Sequence, residues 1–190
     1  MSLELEIATV FRAMPGERAC GDRAVRWEDG DDVLVAVVDG LGHGPHAEIA
    51  AVAAVDYIAE HRDAGLDPLI HGCDKALRGT RGAVLTLVRI RRSTGEAWHA
   101  AIGNVEARFV GSGDVPLLTT PGVVGARIRK IRERAFEFCA GSTLIIHTDG
   151  ISSRFRLGEL HGQSAEAIAR TLLRDHAKDH DDAGCAVIVS

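Results

Sequence analysis

The sequence predicts an α+β protein with largely antiparallel sheets. Three observations carry this expectation. Strand-like and helix-like segments come in blocks, not in strict βαβ alternation. Val33–Val38 is an unbroken apolar run, short and valine-rich as a buried strand would be. Ala83–Ile90 and Glu96–Ile102 are joined by Arg-Arg-Ser-Thr-Gly, a hairpin-like turn.

The elements follow in order. Leu3–Arg12, Ala24–Glu28 and Val33–Val38 read as strands. A helix is expected from Pro45, suited to a first helical turn, to about His61. It is alanine-rich, with Ile49, Val52 and Ala53 on one face. A second helix is expected with Asp67 as N-cap and Pro68 at its first position, ending near Gly79. The two would pack together on one sheet face. The strands Ala83–Ile90, Glu96–Ile102, Val105–Val110, Leu117–Thr119, Arg127–Phe138 and Thr143–His147 come next. A third helix, about Ala165 to Lys178, is capped by Ser164, and Cys185–Val189 closes the chain as a strand.

The 190 residues suit one domain, 1–190, with a sizeable core. The contents of 46% hydrophobic and 26% charged residues are those of a folded soluble protein. A net charge of −5 argues against a nucleic-acid partner. No apolar run is long enough for a bilayer, and the acidic start MSLELEIATV lacks a signal-peptide pattern. A cytoplasmic location and no membrane partner are therefore expected. Cys20, Cys73, Cys139 and Cys185 show no CxxC spacing and read as buried, inert thiols.

The chemistry concentrates in Asp-Gly punctuation. Val33–Gly44, VLVAVVDGLGHG, delivers Asp39 from an apolar strand into a glycine-rich loop. Leu144–Gly150, LIIHTDG, does the same with Asp149. Asp181-Asp182 precedes the last strand and Gly21-Asp22 an early one. Any one Asp-Gly also reads as a plain turn. If the strand ends converge, four or five carboxylates share a pocket and raise one another's pKa. Divalent cations would keep them ionised, and hard oxygen donors without adjacent His or Cys favour Mg²⁺ or Mn²⁺ over Zn²⁺. A pair of such ions binds phosphate oxygens and acidifies a water for attack on phosphorus.

The segments CGD at 20–22, VVDGLGHG at 37–44, RGA at 81–83, GNV at 103–105, LIIHTDGI at 144–151 and DD at 181–182 nearly cover the chain. In them the chain resembles the PPM-type metal-dependent serine/threonine phosphatases, within them the RsbX-like stress-response and sporulation branch. The resemblance implies a four-layer αββα sandwich of two antiparallel sheets flanked by helices. It implies that Asp39 bridges two metals while Gly40 donates its carbonyl, that Asp149 binds one metal, and that Asp22 orients water. From the pair Asp181 and Asp182, both carried as candidates, it implies that the first binds the same metal as Asp149. Asp22, Asp39 and Asp149 are thus the candidate catalytic residues. The implied activity is Mn²⁺- or Mg²⁺-dependent hydrolysis of phosphoserine or phosphothreonine on stressosome-type regulators, by a monomer. One departure is notable: the family has Thr or Ser two residues after the acidic pair, where this chain has Ala183 and Gly184. It motivates the alternative of a phosphatase-fold module that only docks a partner. The phosphate-binding arginine of larger relatives is also missing, with Arg18 or Arg23 as substitutes.

Other signals carry less. Cys20 and Arg26 have cysteine-phosphatase spacing, but Asp22 between them would repel phosphate. Gly40-x-Gly42 lacks the third glycine of a dinucleotide loop, since position 45 is Pro. His43 and His46 lack further zinc ligands, and His147 reads as a core residue. Asn104 shapes a turn or borders the site. Arg127, Arg129, Lys130, Arg132 and Arg134 form a basic strand, either a charged edge against aggregation or a docking stripe for an acidic phosphoprotein.

Overall fold

The computed structural model describes residues 2–111, 113, 115–128 and 130–190. Its strands are β1 (Glu6–Arg12), β2 (Asp22–Asp29), β3 (Asp32–Gly40), β4 (Ala83–Arg91), β5 (Glu96–Ile102), β6 (Glu106–Val110), β7 (Glu133–Glu137), β8 (Thr143–His147) and β9 (Ala183–Val189). Its helices are α1 (Pro45–Glu60), α2 (Leu66–Ala76), α3 (Leu157–Leu160) and α4 (Ala165–Thr171). One sheet has the order β1-β9-β8-β6, the other β2-β3-β4-β5-β7. All these pairings are antiparallel.

The layers follow from strand alternation. On β3, Leu34, Ala36 and Val38 pack under α1 and α2, against Ala51, Ile58, Leu69 and Ile70. Val33, Val35 and Val37 point the other way and meet Leu144, Ile146, Ala186 and Ile188 of the second sheet. The far face of that sheet, with Ile145, Cys185 and Val187, is covered by Phe155, Leu157, Ile168 and Leu172. A strand buried on both faces is apolar throughout, which is why β3 reads as an unbroken run. Helices, sheet, sheet and helices make four layers, the predicted αββα sandwich.

Several predicted elements differ. The α1 residues Ile49 and Val52 are exposed, while Ala47, Ala50, Ala51, Ala54 and Ile58 face the sheet. Alanine lets the helix lie close to β3, so its small residues mark the buried face. The cap of α2 is Gly65, not Asp67, and Asp67 sits in the first turn, where its charge suits the helix dipole. α4 keeps its Ser164 cap, whose hydroxyl accepts the Ala167 N–H, but gives way at Leu172–His176 to a π-helical turn. Leu117–Thr119 forms no strand, and only Thr120 bridges to Ile102. The expected strand Arg127–Phe138 shrinks to β7, as its basic half runs outside the sheet. Arg129, expected within it, lies outside the described residues. Among the described residues no helix is long and apolar enough to cross a membrane.

Candidate active site

Alternation also places the acidic residues. Asp39 shares the parity of Val33, Val35 and Val37, so it points into the space between the sheets at the end of β3. Asp22 shares the parity of Ala24, which packs in that same space, and sits directly opposite Asp39 in the β2–β3 ladder. From the other sheet, Thr148 and Asp149 follow β8, and Asp181-Asp182 lead into β9. Their mutual electrostatic coupling places Asp22, Asp39, Asp149, Asp181 and Asp182 in one cluster. The strand ends that the sequence could not connect do meet.

Glycines make the close approaches possible. A β-carbon on Gly40 would lie 2.1 Å from the Ala47 carbonyl oxygen, and one on Gly150 would lie 1.7 Å from that of Asp182. Both positions accept only hydrogen.

The cluster is electrostatically expensive as it stands. Burial pushes the Asp39 carboxyl up to about 8, and the charges of Asp22 and Asp149 add to this. Asp22 is pushed up to about 7, again chiefly by burial, with the Thr148 hydroxyl pulling the other way. Asp181 is also raised, by burial and then by Asp149. Like charges directly opposite on paired strands are destabilising, so Asp22 and Asp39 require compensation.

The acidic pair divides into two environments. Asp182 is buried, and its oxygens accept the Met14 N–H at 2.7 Å and the Gly21 N–H at 2.6 Å. It ties the β9 approach to the segment before β2. Asp181 is half-buried, and its carboxylate accepts the N–H of Asp182 at 3.0 Å. Arg12 of β1 braces this loop by donating to the Lys178 carbonyl at 2.8 Å and the Asp181 carbonyl at 3.4 Å.

Thr148 is the residue that sequence reading missed. Its hydroxyl donates to Asp22 Oδ2 at 2.6 Å and accepts the Gly184 N–H at 3.0 Å. A β-carbon at Gly184 would stand 3.2 Å from the Asp22 β-carbon. Thr148, just beyond β8, thus ties Asp22 to the backbone of Gly184. The Thr before Asp149 was visible in the sequence, but its direction depends on the β8–β9 pairing.

Asn104 does border the site, donating from Nδ2 to Asp149 Oδ2 at 2.8 Å. Lys178 donates to the Asp149 carbonyl at 2.6 Å. Arg23 is committed elsewhere, paired with Glu48 at 2.8 Å and stacked over Phe11. Arg81 is not: among the described residues its side chain makes no ion pair or hydrogen bond. Its Nη1 would lie 2.8 Å from a β-carbon on Gly42, so the guanidinium covers the loop that follows Asp39. The RGA segment was the available signal for it.

The remaining groups match a background role. His43 is exposed beside Glu17 at 3.3 Å, and His147 is buried, its Nδ1 2.9 Å from the Thr148 carbonyl oxygen. Burial holds the Cys20, Cys73 and Cys185 thiols up near 12, so they are inert, while Cys139 is half-buried beside Ser142.

The donor set suits a hard divalent cation. It consists of carboxylates, with acidic pKa values displaced in the direction a cation would reverse. Among the described residues no three Asp, Glu, His or Cys side chains close into a ready-made chelate.

Known proteins are similar to this chain in sequence and fold. Phosphoserine phosphatase RsbX of Bacillus subtilis (strain 168) is 28% identical over 173 residues, 88% of this chain and 85% of that protein. A solved chain described under "The bacterial stressosome: a modular system that has been adapted to control secondary messenger signaling" superposes with a TM-score of 0.93. It is 31% identical, over 98% of this chain and 100% of its own. RsbX in complex with magnesium superposes with a TM-score of 0.86 at 24% identity, over 99% of this chain and 98% of its own, and shares the fold. Residues 29–189, from β3 through β9 and with every acidic residue of the cluster except Asp22, match the model of Stage II sporulation protein E (SpoIIE). The chain belongs to the SpoIIE family.

Proposed function

We propose that the chain is a metal-dependent protein serine/threonine phosphatase of bacterial stress signalling. The observation that carries this is the convergence of Asp22 and Asp39 from one sheet with Asp149 and Asp181 from the other. The RsbX relative, a phosphoserine phosphatase, supports the choice of substrate.

In this reading Asp39, the Gly40 carbonyl, Asp149 and Asp181 hold Mn²⁺ or Mg²⁺, as two ions. Asp182 anchors the loop because its oxygens already serve backbone N–H groups. When bound, such ions supply charge for the phosphoryl oxygens and acidify a water. Asp22, with one oxygen held by Thr148, keeps the other to accept a proton from that water and orient it. Asn104 fixes the carboxylate of Asp149. Arg81, whose guanidinium covers the loop at Gly42, takes the substrate phosphoryl group. The substrates are phosphorylated stressosome-type regulators, and the protein works as a single-domain cytoplasmic monomer.

The docking-module alternative rested on Ala183-Gly184. The Thr148 hydroxyl accepts the Gly184 N–H, so the backbone after the acidic pair is held without a side-chain hydroxyl at 183 or 184. The test is phosphate release from a phosphoserine peptide. Release that needs Mn²⁺ or Mg²⁺, stops with chelator and leaves no phosphate on the protein supports the reading. No release at any metal concentration contradicts it.

A further inference from the structure

A surface groove away from the acidic cluster is lined by Pro116, Leu118 and Ile131, by the cations Lys130, Arg132 and Arg134, and by one acid, Glu133, with a volume of about 530 Å³. Leu118 is 63% exposed, the most exposed of the large apolar side chains. The groove runs beside β7, which among the described residues pairs with β5 and with no other strand, so it is an edge of the sheet. An unprotected edge of this kind accepts another strand.

Cations outnumber acids in this groove, three to one. Among the described residues, Arg127, Lys130, Arg132 and Arg134 make no side-chain ion pair or hydrogen bond. At β2, the opposite edge of this sheet, the charges are internally matched: Arg26 and Arg92 pair with Glu28, and Arg62 pairs with Asp29. A chain of net charge −5 thus gathers unpaired cations at one sheet edge, beside an exposed leucine. Keeping an edge soluble needs charge alone. It explains neither the apolar floor at Ile131, which is 7% exposed, nor the exposed Leu118 at the rim.

We propose that this groove and the free edge of β7 dock an acidic, extended polypeptide segment. The segment lies along β7 as an added strand, sets an apolar side chain against Leu118, and places carboxylates against Lys130, Arg132 and Arg134. That the segment belongs to a phosphoprotein substrate rests on the phosphatase reading; the docking itself does not.

The test uses a fluorescein-labelled peptide of alternating Asp and Leu, titrated with the intact protein and read by anisotropy. Hydrolysis of p-nitrophenyl phosphate is measured on the same preparations. The expected result is saturable, salt-sensitive binding, weakened about tenfold or more by Lys130→Glu/Arg132→Glu and by Leu118→Asp, with hydrolysis unchanged. A peptide of alternating Lys and Leu should not bind. Failure of the acidic peptide to bind, equal binding by the variants, or binding of single-stranded RNA in its place would overturn the proposal. Peptide binding without hydrolysis by the wild type would instead remove the phosphatase reading and leave the groove standing.

Discussion

Thr148, one residue beyond β8, donates its hydroxyl across 2.6 Å to Asp22 at the start of β2. The bond joins the two sheets at the mouth where the carboxylates gather. Thr148→Val keeps the shape and removes the hydroxyl, leaving Asp22 and the Gly184 N–H without that partner. A lost bond to a buried charged group costs about 1–3 kcal/mol, and the expected effect is a loss of stability of that size together with reduced turnover. Thr148→Ser should retain most of both. Denaturant melts and steady-state kinetics on the two variants check this.

Gly150 and Gly158 predict opposite outcomes for the same substitution. At Gly150 a methyl group would meet the Asp182 carbonyl oxygen at 1.7 Å, whereas at Gly158 nothing lies within 4 Å. Gly150→Ala should destabilise by about 3 kcal/mol or more, since the obstacle is backbone. Gly158→Ala should be neutral, or stabilise by up to about 1 kcal/mol. Thermal melts of the two proteins distinguish them.

The metal-free protein should become less stable as pH rises. Asp22 and Asp39 titrate near 7 and 8 in the folded state, far above the ordinary carboxylate range. The folded state therefore binds more protons than the unfolded one between about pH 4 and 8. The stabilisation from protonation is complete below the unfolded pKa and is lost as pH passes through the folded values. The slope is limited to about 1.4 kcal/mol per pH unit for each extra proton bound. Melting temperatures in chelator should fall between pH 6 and 8.5. With saturating Mn²⁺ the trend should reverse, because protons then compete with the cation.

Arg81→Ala should raise KM for p-nitrophenyl phosphate and weaken inhibition by inorganic phosphate, each by roughly 10- to 100-fold, as for a lost charged hydrogen bond. Arg81→Lys should fall between, since it keeps the charge without the planar fork. Mn²⁺ affinity without substrate should not change. Unaltered phosphate inhibition would remove Arg81 from the substrate site.

How much of this was legible in the sequence depended on distance along the chain. β3, β4, β5 and β8 were readable because burial on both faces leaves a continuous apolar run. The buried face of α1 was misread because alanine, not Ile49 or Val52, makes the close contact with the sheet. The basic segment before β7 carried strand-like alternation yet lies outside the ladder. For the site, Asp39 and Asp149 stood out as acidic ends of apolar strands. Their meeting across 110 positions follows only from strand order. Thr148 was hidden for the same reason: its two partners, Asp22 and Gly184, are 126 and 36 residues away in sequence.

The central claim is that Asp39 makes the cluster a metal-dependent phosphatase site. The most direct measurement is Mn²⁺-dependent hydrolysis of p-nitrophenyl phosphate by the wild type and by Asp39→Asn, with folding of the variant verified by its melt. The account predicts hydrolysis that rises with Mn²⁺ in the wild type and falls by roughly 100-fold or more in Asp39→Asn, the scale of losing a principal electrostatic group. Equal rates in the two proteins would contradict it.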